Sequence, residues 1–185
     1  MNIIQRDKLK ISFISALLLL CFASTGLPAS LVLDKTPCQV YFSPHGGCSE
    51  AITRELGEAK SEILIQAYSF TSKDVAEAVV KAHNRGVKVL AILDKSQLKE
   101  KYSAANFLAN SGIPTYIDAE HQIAHNKIII IDGETVIGGS FNYSKSAEDS
   151  NAENVTIIKN KDFAKIFVVN WHEHQKHSQP VTAKY

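Results

Sequence analysis

Apolar residues along this chain fall into two alternating patterns. Short apolar blocks recur at 39–42, 62–68, 88–93, 114–117, 128–131, 135–137 and 155–158, and read as strands. Between them the apolar residues take a helical spacing. Ile52, Leu56 and Ala59 form one stripe; Val75, Ala76, Ala78, Val79 and Ala82 another; Phe163, Ile166, Phe167 and Trp171 a last one. These stripes predict helices over 49–59, with Ser49 as N-cap, 72–85 and 161–174, and a further helix is expected over 96–110. Gly86 and Gly112 act as stops. Strand and helix alternate through the first half, which implies right-handed crossovers and parallel pairing. The second half adds a hairpin. The expected fold is therefore α/β, with a mixed, mostly parallel sheet flanked by helices on both faces. No internal repeat, low-complexity segment or linker interrupts the pattern.

The N-terminus breaks this alternation. Arg6, Lys8 and Lys10 precede an apolar stretch over 11–23, followed by the small residues Ala23, Ser24, Thr25 and Gly26. That is the composition of an export signal, and the stretch is shorter than the ~20 residues that span a bilayer. Residues 1–26 are expected to be a signal peptide, cleaved after Gly26 or after Ala29, leaving one domain over 27–185 without a stable membrane span. An uncleaved anchor is the alternative. The expected location is periplasmic or secreted. In that setting Cys38 and Cys48 favour a disulfide closing the loop that holds His45, with two free thiols or a Cys–Cys–His45 metal site as lesser readings. The chain carries a formal charge of +1, and its expected mature part is within one charge of neutral. No global field draws in polyanions, so any phosphate binding must come from a local cluster.

Such a cluster stands between 123 and 154. His125 and Lys127 lie two apart at the mouth of the isoleucine strand and so share a face. Asp132 and Gly133 turn the hairpin, whose return brings Gly139, Ser140 and Asn142 back toward the first strand's open end. Glu153 and Asn154 open the next strand. The spacing His-x-Lys, four residues, Asp, six residues, Gly-Ser-x-Asn resembles the motif of the phospholipase D superfamily, and every position of it is present. A chance match in a chain this long has odds on the order of one in a million. With one motif copy, a short chain and an export signal, the chain looks most like the small bacterial Nuc-type endonucleases.

The resemblance implies a site chemistry. Phosphodiester cleavage benefits from one neutral imidazole as nucleophile and one protonated imidazole as general acid. A single motif supplies one histidine, so the resemblance implies a homodimer with the active site at the two-fold interface. His125 of one subunit would attack phosphorus, and the partner's His125 would protonate the leaving alcohol. Lys127 and Asn142 would hold the non-bridging oxygens, Ser140 would support them, and Glu153 would fix the tautomer of His125. Asp132 belongs to the motif, though a hairpin role suits it better than that of a base. No cofactor and no metal are called for.

Around this core, Tyr68, Ser69 and Phe70 follow a strand's carboxyl end and are candidates to line the cleft, with core packing about as good a reading. His45, His121 and Lys145 are candidates for phosphate contact, with solvated loop positions slightly preferred. His172, His174 and His177 invite a metal site, but spacings of two, three and five on a helix make no tight ligand face, and surface positions fit them better. The leading expectation is a metal-independent, non-specific endonuclease acting on DNA, with RNA as a further substrate. The alternative is a phospholipase D or cardiolipin-type hydrolase, for which phospholipid would be the partner. A non-catalytic phosphate-binding module ranks third.

Overall fold

The computed structural model describes residues 29–183, and the expected signal segment and its cleavage lie outside them. One compact unit begins at Leu31. Eight strands and five α-helices follow in chain order: β1 (Cys38–Ser43), α1 (Cys48–Glu58), β2 (Glu62–Ala67), α2 (Lys73–Asn84), β3 (Lys88–Asp94), α3 (Ala104–Asn110), β4 (Thr115–Asp118), β5 (Lys127–Ile131), β6 (Thr135–Gly139), α4 (Lys145–Asp149), β7 (Glu153–Lys159), α5 (Lys161–His177) and β8 (Gln179–Pro180). They build a single mixed sheet in the order β1-β7-β6-β5-β2-β3-β4-β8.

The sheet's parallel part is smaller than the sequence pattern implies. Only β2–β3 and β3–β4 pair in parallel. The other five neighbour pairs are antiparallel. The reason is that β5, β6 and β7 form a meander, and β5 docks antiparallel against β2. Helices do cover both faces. Ile63, Ile65 and Ala67 of β2 pack with α1, α2 and α3 on one side. Leu64, Ile92, Ile130 and Val136 meet Ala164 and Trp171 of α5 on the other. Alternate residues of β2 thus feed two separate cores, as a doubly covered strand requires. Trp171 also donates its indole N–H to the carbonyl of Ile65 at 2.8 Å, which fixes α5 on the sheet. Among the described residues no helix is long and apolar enough to cross a membrane.

Three local expectations are corrected. Ser49 does not cap α1; the residue before the helix is Gly47, and the Ser49 amide is taken up by the Glu148 carboxylate at 2.8 Å. The single helix expected over 96–110 is broken. Asp94 caps a short 3-10 turn over Lys95–Leu98, and Ser103 separately caps α3, so two capping side chains start two turns where one was read. Cys38 and Cys48 are both free thiols, the first exposed and the second buried. Cys38 opens β1 while Cys48 follows its far end. The two stand at opposite ends of an extended strand and its loop, with no bond between them. Burial, with Glu148 adding to it, pushes the Cys48 thiol up to about 11, so it stays protonated.

Candidate active site

One end of the sheet collects the ends of seven strands. β5 begins there with Lys127, opposite Ala67 of β2. β6 ends there at Gly139, opposite Val155 of β7, and β7 begins there at Glu153, opposite Ser43 of β1. β3 ends there at Asp94 and β4 at Asp118. With ~4.8 Å between strands, the motif residues form a short row across β5, β6 and β7.

The hairpin that sets this row is fixed at its other end by Asp132 and Gly133. Both have positive φ, 54° and 62°, and the Glu134 amide donates to the Ile131 carbonyl at 3.0 Å, closing a three-residue loop between Ile131 and its partner Thr135. The Asp132 carboxylate accepts from the amides of Lys60 (3.0 Å), Ser61 (2.7 Å) and Glu62 (3.0 Å) and from the Ser61 hydroxyl (2.8 Å). Burial raises its pKa, and these donors more than reverse this, leaving it below the ordinary carboxylate value. Asp132 therefore sits a full strand length from His125 and takes no place at the site, which corrects its inclusion among the catalytic candidates. At the site end, Gly139 has φ 144°, and a Cβ there would run into the carbonyl of Asn154. That close approach lets the Asn154 carbonyl accept from the amides of Ser140 and Phe141, while the Ser140 hydroxyl accepts from the Asn154 amide at 3.1 Å.

His125 is exposed at the end of the loop entering β5, with its ring 4.6 Å from that of Tyr68. Lys127 is only 7% exposed. Its ammonium donates to the His125 carbonyl at 2.9 Å and lies 5.1 Å above the Tyr68 ring. Burial pulls its pKa down, and the negative charge of Glu153 partly restores it. A buried cation held by a carbonyl and a ring has unused capacity for an anion. Asn142 is half-buried, and its Oδ1 is buried without a partner among the described residues. Glu153 accepts from Asn151 Nδ2 at 3.1 Å and makes no hydrogen bond to His125 within the protomer, contrary to its expected contact.

Of the surrounding candidates, Tyr68 is at the site. Ser69 is half-buried, and its carbonyl accepts from the Tyr143 amide at 3.2 Å; the Tyr143 carbonyl accepts in turn from Thr71 and Ser72. This backbone clamp holds Asn142 beside the β2 end. Phe70 is fully buried and packs edge-on against Tyr143, so it is a core residue and cannot touch substrate. His45 is exposed in the loop after β1, at the same end of the sheet. Lys145 is exposed on α4. Two positioning residues were not singled out from sequence. Asp94 accepts from the Ala124 amide at 2.8 Å and pins the chain one residue before His125. Gln97 accepts from the Phe70 amide at 3.2 Å. An acid closing an apolar strand was the available signal for Asp94; Gln97 had none.

His174 and His177 are not free surface residues. They converge with His121 on the buried Asp118. The helix spacing judged them only against one another, and their partners come from another element.

An imidazole, a buried ammonium and a carboxamide gathered at one end of the sheet are the equipment of a phosphoryl-transfer enzyme. Residues 52–174 match the family described as cardiolipin synthase, PLD-like domain. The chain is 40% identical over 139 residues to a phospholipase D of Rickettsia conorii, covering 75% of this chain and 70% of that one. It is 31% identical over 138 residues to a mitochondrial cardiolipin hydrolase of Chlamydomonas reinhardtii, covering 68% of this chain and 61% of that one. Among solved structures, the phospholipase D family member Nuc of Salmonella typhimurium superposes with a TM-score of 0.78 at 36% identity, over 80% of this chain and 100% of Nuc. The chain belongs to the phospholipase D superfamily, and it is a phosphodiester hydrolase.

Proposed function

We propose that this hydrolase is a non-specific endonuclease that cuts DNA, and RNA as well, through a phosphohistidine intermediate in a homodimeric site. The observation that supports the reading most is the likeness to Nuc over the whole of that chain, with His125 and Ser140 exposed at the strand ends of each protomer. Among the described residues no base-reading element stands at the row, so the phosphate carries recognition.

In the reaction, a His125 ring nitrogen attacks phosphorus and the P–O bond to the leaving oxygen breaks. The partner subunit's His125 gives that oxygen a proton. It then takes a proton from water, whose oxygen attacks phosphorus and releases the first imidazole. Lys127 and Asn142 hold the non-bridging oxygens as charge builds on them. Ser140 keeps the Gly139–Asn142 turn in place through the Asn154 amide. Glu153 lowers the cost of the buried ammonium. The ammonium supplies the positive charge that a metal supplies elsewhere. Export to the periplasm or medium suits an enzyme that degrades polymers outside the cytosol.

A second reading has its own observation. A largely apolar groove lined by Ala76, Tyr102 and Phe107 starts at Thr71 and Ser72, whose amides bond Tyr143. It could take an acyl chain, and the Rickettsia relative is a phospholipase D. The test is a parallel assay on plasmid DNA, RNA and phospholipid vesicles in excess chelator, with wild type and His125→Ala. Nicking of plasmid and cleavage of RNA by wild type, and of neither by His125→Ala, are expected. Cleavage of vesicle lipid with plasmid untouched would replace the nuclease by the lipase, and turnover by folded His125→Ala would remove the nucleophile.

A further inference from the structure

We infer that Asp118, His121, His174 and His177 form a structural binding site for a zinc-class divalent cation, separate from the active-site row. Asp118 is fully buried at the end of β4. Its Oδ2 lies 2.8 Å from His174 Nδ1, 3.1 Å from His121 Nδ1 and 3.3 Å from His177 Nε2. The four ligand atoms all lie within 4.8 Å of one another. Tetrahedral zinc with bonds of ~2.0–2.2 Å places its ligand atoms roughly 3.3–3.5 Å apart. On binding, side-chain rotation would close the four atoms from within 4.8 Å to that spacing.

Two further observations point to a ligand. His177 Nε2 is buried and, despite its distance from Asp118, makes no directed hydrogen bond. A buried nitrogen left so costs free energy that a cation would recover by accepting its lone pair. The site is also held by its backbone. β8, directly after α5, pairs Gln179 with Ile117 and Pro180 with Tyr116, which folds the end of α5 back onto β4. The Ser178 hydroxyl donates to the His174 carbonyl at 2.8 Å, the Glu120 amide donates to Asp118 Oδ1 at 3.2 Å, and the Lys95 ammonium donates to the His121 carbonyl at 2.8 Å. Ligand positions are thus set before any ion arrives.

Three imidazoles and one carboxylate suit zinc by ligand type, and four protein ligands leave no open position for substrate. The role is structural. β4 is three strands from β5, roughly 14 Å across the sheet, so the ion does not reach the reacting phosphate. It ties the end of α5 to the 118–124 segment that delivers His125.

The test uses the whole chain, without an affinity tag, stripped by chelator and dialysed against Zn²⁺ or Co²⁺. Expected are one zinc per chain by elemental analysis, the intense visible bands of four-coordinate cobalt, and a melting temperature raised by the metal. His174→Gln/His177→Gln should weaken uptake at least about tenfold and abolish the melting shift; His121→Gln, on the exposed loop, serves if the double variant does not fold. His125→Gln and His172→Gln should keep both. Uptake that survives loss of the cluster histidines, or that disappears with His125→Gln, overturns the site. So does the weak spectrum of six-coordinate cobalt, or no uptake, either of which leaves a carboxylate shared by three imidazoles through protons alone. None of these readouts depends on the substrate, so their failure is distinct from failure of the nuclease reading.

Discussion

At the scale of single residues, Lys127 carries the sharpest conflict between stability and function. It is an ammonium with 7% exposure and a carbonyl and an aromatic face as neighbours. Lys127→Met keeps the stem and removes the desolvation cost, so the melting temperature should hold or rise. The same change deletes the charge proposed to meet the developing oxyanion, and on that proposal kcat should fall at least about a hundredfold. A calorimetric scan beside a plasmid-nicking assay checks both, and Lys127→Met with wild-type turnover would remove the lysine from the mechanism. The lowered pKa has a further consequence. The active form is protonated, so the alkaline limb of kcat/KM should fall at a lower pH than an ordinary lysine would give. Asp132 is the opposite case, a motif residue whose work is architectural. Asp132→Ala strips four donors of their acceptor and should cost on the order of 1–3 kcal/mol at pH 7. The carboxyl's folded pKa is depressed. Its stabilising share is therefore complete above the unfolded value of about 3.9 and is lost as pH falls through the folded value. Urea melts at several pH values should show wild type and Asp132→Asn converging below about pH 4, with turnover per folded molecule alike at neutral pH.

At the scale of elements, the second core depends on α5. Trp171 fills it and bonds the Ile65 carbonyl, on the central strand that ends beside Tyr68. Trp171→Ala should cost about 3–5 kcal/mol. Trp171→Phe should cost less, keeping the packing and losing the indole bond, and chemical denaturation ranks the two. This helix was legible in the sequence because its stripe of Phe163, Phe167 and Trp171 is long and regular. The hairpin was legible because Asp-Gly marks its turn and a short apolar run stands on either side. What escaped were features whose cause lies outside the element. Ser49 looks like a cap, yet Glu148, about a hundred positions on, supplies the acceptor. The 96–110 stretch reads as one helix until Asp94 and Ser103 are seen to cap separate turns. Cys38 and Cys48 look close in sequence, but the strand between them is extended. Phe70 looks like a cleft residue after a strand end, and Tyr143 draws it inward. His174 and His177 lacked partners on their own helix, and their partners stand on β4 and its loop. Local periodicity writes elements; it does not write which distant side chain an element will meet.

At the scale of the molecule, each protomer presents one imidazole, one buried ammonium and one carboxamide on an exposed row. Phe42, paired with Asn154 on β7, and Ile123, two residues before His125, are 66% and 52% exposed. Apolar side chains beside a polar site suit burial against a second copy, and an isologous two-fold contact there would bring the two rows together. The chemistry asks for this as well, since one imidazole must be unprotonated while another carries a proton. A mixed dimer decides the matter. Wild type and His125→Ala, carrying different tags and co-expressed, can be purified through both tags so that only heterodimers remain. If the site is shared, every heterodimer lacks either the nucleophile or the acid for the first step, and its plasmid-nicking rate should fall by orders of magnitude. If each protomer works alone, the heterodimer should keep half the wild-type rate. Half activity at concentrations where the pair stays associated would end the shared-site mechanism, whatever the substrate proves to be.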